Sequence, residues 1–277
     1  MERPILEQVW NPTQHIALWL GAWATGHAGF DHCSEALASL GPTHQVDLVD
    51  AYVPEVVDLD APLHTPEFLR LVRAVTADGP RGVTAEPPVR LVLAGPGDVP
   101  ALPAQSAAAE ATRQAGSAVV LADADPQWHH VVVPAAGDAG LVWQWFSLDQ
   151  PLPPSAHLSP GEADLQLADA TRAAAAQVQA RHHGGAGSTV PNPRLRVGAL
   201  TDHFDLVATP PAMPNRAGGL IARADNVAAV LAVAQSGPGG SEVDPELIPL
   251  WRTVRQARTT AVEYAVREWS AQAAEFA

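Results

Sequence analysis

Strand-forming patterns stop at residue 149. Up to that point short apolar or alternating runs recur, and beyond the proline-rich stretch DQPLPPSAHLSPG (149–161) only helical periodicity remains. That break predicts an α/β module over residues 1–154 and an all-helical module over 155–277.

In the first part, Ile16, Trp19, Leu20 and Trp23 recur at helical spacing and predict a helix with one apolar face. A second helix is expected over 31–40, stopped by Gly41-Pro42. QVDLVDAYV (45–53) alternates as a strand does, and Thr65-Pro66-Glu67 opens a helix carrying Phe68, Leu71, Val72 and Val75 on one side. VRLVLAG (89–95), a helix over 103–115 and SAVVLAD (117–123) read as strand, helix and strand joined by a right-handed parallel crossover. WHHVVVP (128–134) and LVWQWFSLD (141–149) flank AAGDAG as an antiparallel hairpin. The expected fold class is α/β, a mixed sheet of about five strands with flanking helices, followed by an all-α bundle. Ser159-Pro160-Gly161-Glu162 combines an N-cap, a first-turn proline and a capping-box glutamate, and predicts a helix through Arg181. Helical stretches follow at 194–206 and 215–235, and Asp244-Pro245-Glu246 opens a last helix roughly 45 Å long.

Composition narrows the chemistry. All 16 basic residues are arginine, which excludes Schiff-base chemistry, a lysine base and the P-loop lysine. The single cysteine, Cys33, excludes an intramolecular disulfide, a CxxC motif and a cysteine-rich zinc site. A net charge of −14 opposes a phosphate backbone, so no nucleic-acid partner is expected. Neither a secretory leader nor an apolar run of ~20 residues stands out, so a cytoplasmic protein without membrane contact is expected.

Four groups of residues carry chemical interest. Gly95-Pro96-Gly97-Asp98 follows a strand and precedes a helix, as phosphate-binding loops do. Its prolines lack N–H donors and no cation lies between Arg90 and Arg113, which leaves a structural turn or an uncharged adenosine group such as that of S-adenosylmethionine. Gly95, Gly97 and Asp98 would then approach the cofactor, Asp123 would accept from ribose hydroxyls, and His129 or His130 would serve as acid or base. Adjacent strand residues face opposite sides, so only one of the two histidines can join any one site.

GHAGFDHC (26–33) places His27, Asp31 and His32 close together in sequence, either as part of a metal site or as a corner between helices with Cys33 packed inside. His182-His183 suits a helix C-terminus, and Asp202, His203 and Asp205 form an acid/base pair, half a metal site or a solvated loop. Arg252, Arg255 and Arg258 make a stripe on the last helix beside Trp251, either for an acidic partner or for internal ion pairs. The apolar length of that helix, down to Trp269, suggests burial across a homodimer. Trp143 and Trp145 share one strand face, as a pocket wall or as the layer beneath covering helices. With no GxSxG elbow, the first expectation is a non-catalytic binding or interaction protein acting as a homodimer. An enzyme with an adenosine cofactor and a metal-dependent hydrolase on His27, Asp31 and His32 are the alternatives.

Overall fold

The computed structural model describes residues 12–40, 44–53, 63–77, 79, 86–137, 140–154, 158–181, 192–204, 208–235 and 244–275. Among the described residues, helices α1 (Pro12–Ala24) and α2 (Phe30–Leu40) are followed by strand β1 (His44–Asp50), helix α3 (Thr65–Thr76), strand β2 (Val89–Leu93), helix α4 (Ala107–Ala115) and then strands β3 (Ser117–Ala122), β4 (His129–Gly137) and β5 (Gly140–Leu148). Helices α5 (Pro160–Arg181), α6 (Pro193–Phe204), α7 (Asn215–Gln235) and α8 (Asp244–Glu275) follow. The sheet is mixed, with strand order β1-β5-β4-β3-β2; β1 runs parallel to β5 and every other pair is antiparallel.

The parallel crossover expected between β2 and β3 is corrected: the two are antiparallel neighbours, with Leu93 opposite Ser117. The cause lies at Gly116. Its left-handed backbone ends α4, and its carbonyl accepts from the Ala94 N–H at 2.9 Å, so the chain re-enters the sheet where it left. Residues 94–116 are therefore a long excursion from one end of a strand pair. The Ser106 hydroxyl starts α4 by accepting from the Ala109 N–H at 3.1 Å, later than the helix expected from 103. At α3 the cap falls one residue early, where the His64 N–H donates to Glu67.

Alternation along the strands builds two cores. One face, with Leu91, Val119, Leu121, Val132, Trp143 and Trp145, packs into a large cluster shared with α1, α3, α7 and α8. The opposite face, with Val92, Val120, Val131, Val133 and Phe146, is covered by Ala108 and Ala109 of α4 and by Leu102. Helix α1 is buried nearly all round, because it lies between the sheet and α8. Its apolar residues therefore share a single core with the C-terminal helices.

Trp143 and Trp145 lie in this layer and are fully buried. Phe68 stacks on Trp143 with ring centres 5.7 Å apart and meets Trp145 edge-on at 6.5 Å. The Trp143 indole donates to His44 Nδ1 at 3.0 Å, and His44 Nε2 donates to the Leu37 carbonyl at 2.7 Å, tying β5, β1 and α2 together. By length and composition α7 could cross a membrane; 56% of that stretch is buried in the fold.

Candidate functional site

The Gly95–Asp98 turn closes with the Asp98 N–H donating to the Gly95 carbonyl at 2.9 Å, and Gly97 takes a φ of 82°, as the third residue of a Pro-Gly turn must. What the turn cradles is part of the protein itself. Arg255 of α8 donates from Nε to Asp98 Oδ2 at 2.9 Å, and its Nη2 lies 2.8 Å from both Oδ2 and the Pro96 carbonyl. Arg252 Nε reaches Asp98 Oδ1 at 2.9 Å. Asp123 lies beyond the other end of β3, a strand of six residues and so roughly 20 Å long. The adenosine site expected from Gly95, Gly97, Asp98 and Asp123 is thus divided between two ends of the sheet, and its turn is filled by a guanidinium.

The arginine stripe points largely inward. Arg258 is buried and donates to the buried Asp225 of α7 at 2.5 Å. His15 lies within the field of Arg258; burial first, and that charge second, lower its pKa to about 4. Trp251 is half-buried and donates to Gln235 Oε1 at 3.1 Å, while Trp269 is fully buried and donates to the Ala212 carbonyl at 2.8 Å. Of the residues expected at an interface, only Arg252 is largely exposed, at 66% of its side chain. Leu250, Val254, Ala261, Ala265 and Trp269 are covered within the chain, so the length of α8 does not itself call for a second copy.

His129 and His130 face opposite sides of the sheet. His129 Nε2 lies 3.3 Å from Glu86, and this hydrogen bond is the main cause holding the Glu86 carboxyl below its usual range. His130 is fully buried, with Nε2 2.8 Å from Asp123 Oδ2 and Nδ1 3.0 Å from Ser147 Oγ. Asp123, His130 and Ser147 thus stand in the order of a nucleophile relay. Proton accounting decides against that use. The Trp145 indole, which can only donate, reaches Nδ1 at 3.1 Å, so Nδ1 accepts and the ring proton sits on Nε2, facing Asp123. The Ser147 hydroxyl accepts from the Tyr52 N–H and donates to the Tyr52 carbonyl, both at 2.9 Å. Burial keeps the His130 pKa low against the opposing pull of Asp123. The group ties β3, β4 and β5 to the chain beyond β1.

His27, Asp31 and His32 are not brought together. Gly26 takes a left-handed φ at the end of α1, and the His27 N–H turns back to the Ala22 carbonyl at 2.7 Å. The His27 ring is engaged by Thr25 at 3.1 Å and by Gln272 of α8 at 3.0 Å. Asp31 and His32 lie exposed in the first turn of α2. Cys33 is buried, and burial pushes its thiol pKa up to about 12. Among the described residues no three His, Cys, Asp or Glu side chains could hold a metal ion. Asp202 and His203 fall in the last turn of α6, and His182, His183 and Asp205 lie outside the described residues.

An open cleft of about 410 Å³ lies between the end of α1, the start of α2 and α3. Trp23, Ala28, Gly29 and Phe30 form its apolar walls, and Arg70 and Arg73 border it. The Arg73 guanidinium sits over the Trp23 ring, 4.6 Å from its centre, and Phe30 is 44% exposed. Arg70 lies 3.4 Å from Glu67 in an exposed pair, whereas Arg73 has no carboxylate partner among the described residues. The signal was present in sequence as two arginines three apart on the polar face of α3, but nothing local joins them to Trp23 or Phe30.

The comparisons with known proteins agree in placing the chain. A model of the N-terminal domain of Rv1486c-like proteins matches residues 13–158, and a model of the C-terminal domain matches 161–259. Two relatives, Uncharacterized protein MT1533 and Uncharacterized protein Rv1486c, come from Mycobacterium tuberculosis strains CDC 1551 / Oshkosh and ATCC 25618 / H37Rv. Each is 29% identical over 286 residues, covering 92% of this chain and 96% of the relative. No solved structure matches. With one domain model alone spanning residues 13–158, the chain belongs to the family of Rv1486c-like proteins.

Proposed function

We propose that this protein is a non-catalytic binding protein whose ligand is a small organic anion with an apolar body, held in the cleft between α1, α2 and α3. The observation that carries this reading is the Arg73 guanidinium, set over the Trp23 ring and without a carboxylate partner among the described residues. On a chain of net charge −14, anions are repelled from most of the surface, and an arginine pair beside aromatic walls supplies a local exception. A carboxylate or phosphate accepts from the guanidinium fork that Trp23 supports, while the body of the ligand covers Ala28 and the exposed Phe30. The side chains lining the cleft are apolar or arginine, and an arginine does not give up its proton near neutral pH. They bind without exchanging protons, which is why the reading is binding rather than catalysis.

The test is a thermal-shift screen of the full chain against benzoate, phenylacetate, indole-3-acetate and decanoate, each beside its uncharged amide. The acids raise the unfolding midpoint and the amides do not. Failure of every acid, or equal effects from the amides, overturns the reading.

A further inference from the structure

We propose that the end of the sheet at Tyr52 and Trp128 docks an arginine-rich segment of a partner protein. Strand direction gathers this surface. β1 runs parallel to β5, while β5, β4 and β3 alternate, so the last residues of β1, β5 and β3 and the first of β4 share one end of the sheet. Tyr52 lies just past β1 and Trp128 just before β4, and their rings stack with centres 5.4 Å apart across the end of β5. The backbone of Tyr52 exchanges two hydrogen bonds with the Ser147 hydroxyl, so its position does not depend on burial of its ring, and the residue is 59% exposed. An exposed aromatic pair on a fixed backbone is the kind of anchor that interfaces concentrate.

Charge selects the partner. Asp50 closes β1 and Asp149 follows β5, while Asp125, in the turn after β3, accepts at its carbonyl from the Trp128 N–H at 2.9 Å. All three acids are exposed, and none has an ion-pair partner among the described residues. Arg90, the second residue of β2, is buried and paired with Glu86, so it does not offset them. Strands lie about 4.8 Å apart, which spreads the three carboxylates over roughly 14 Å from β1 to β3. A single small cation cannot meet them all, whereas an extended segment of about four or five residues can. Arginine suits the site better than lysine, because its planar guanidinium stacks on an aromatic face while its fork donates to a carboxylate. The net charge of −14 steers such a segment toward the protein. This surface shares no residue with the cleft beside Arg73, and neither reading depends on the other.

The experiment is fluorescence anisotropy of the full chain with labelled peptides of about ten residues that alternate glycine with arginine, lysine or glutamate. The arginine peptide is expected to bind about threefold or more tighter than the lysine peptide, and the glutamate peptide not to bind. Tyr52→Ala weakens the arginine peptide about fivefold and Tyr52→Phe leaves it unchanged, because the ring carries the contact and the hydroxyl does not. Asp149→Asn weakens it about threefold. Asp169→Asn, which removes an exposed carboxylate on α5, is without effect and separates this surface from the general field of the chain. An absent complex, equal affinity for the arginine and lysine peptides, full affinity in Tyr52→Ala, or a loss in Asp169→Asn as large as in Asp149→Asn overturns the proposal.

Discussion

Arg255 occupies the space that a side chain on Gly95 would fill: a Cβ built there would stand 2.7 Å from Nη1. The guanidinium is the far end of a flexible side chain, but Asp98 and the Pro96 carbonyl pin it in place. Gly95→Ala is therefore expected to destabilise the protein by about 1–3 kcal/mol, through overpacking and weakened ion pairing. Asp98→Ala, which leaves both Arg252 and Arg255 without this acid, should act in the same direction. Urea unfolding measures both, and wild-type midpoints in the two variants would contradict the docking role of the turn.

The neutral His15 makes stability depend on pH. Its pKa falls from 6.5 to about 4 on folding, so between those values the unfolded chain binds a proton that the folded chain does not. Stability is present at neutral pH and is lost as pH falls through that window, by roughly 3 kcal/mol for this group. His130, also held low by burial, acts in the same direction. Thermal melts at pH 7.5 and 4.5 should differ accordingly, and His15→Gln should flatten the difference; an unchanged slope in that variant contradicts the assignment.

The Arg258–Asp225 pair lies in the core between α8 and α7. Removing the acid alone by Asp225→Ala strands a buried charge and is expected to cost about 3–5 kcal/mol. The double change Arg258→Met with Asp225→Leu should recover much of that loss. Chemical denaturation of the three proteins checks the order, which fails if the double variant is the least stable.

Ser147 carries the geometry of a nucleophile without its freedom, since its hydroxyl is spent on both backbone groups of Tyr52. A fluorophosphonate probe should leave it unlabelled, and Ser147→Ala should lower stability by about 1–2 kcal/mol through the lost ties. Stoichiometric labelling at Ser147, found by mass spectrometry, would reopen hydrolysis.

Local signals were legible in sequence wherever local chemistry decides the outcome. Ser159 and Glu162 form the reciprocal cap that their spacing predicts, with the Ser159 N–H donating to Glu162 at 2.8 Å and the Glu162 N–H to Ser159 at 3.2 Å. The β4–β5 hairpin follows from alternation and a glycine turn. The direction of β3 was not legible, because it depends on where the excursion 94–116 returns and not on the residues of either strand. The partners of the GPGD turn were hidden for another reason: Asp98 and Arg255 are 157 residues apart, and nothing near either one names the other. The cleft shares that problem, since Trp23 ends one helix, Phe30 begins the next and Arg73 belongs to a third.

Isothermal titration calorimetry, with the best organic acid from the thermal-shift screen against the full chain and against Arg73→Gln, tests the central claim most directly. One acid should bind per chain, with affinity falling at least about tenfold in the variant while its unfolding midpoint falls by no more than a few degrees, the loss of an exposed side chain's contact with Trp23 being worth about 0.5–1 kcal/mol. Equal affinity for the two proteins, or no binding heat with either, would contradict the assignment of this cleft as the ligand site.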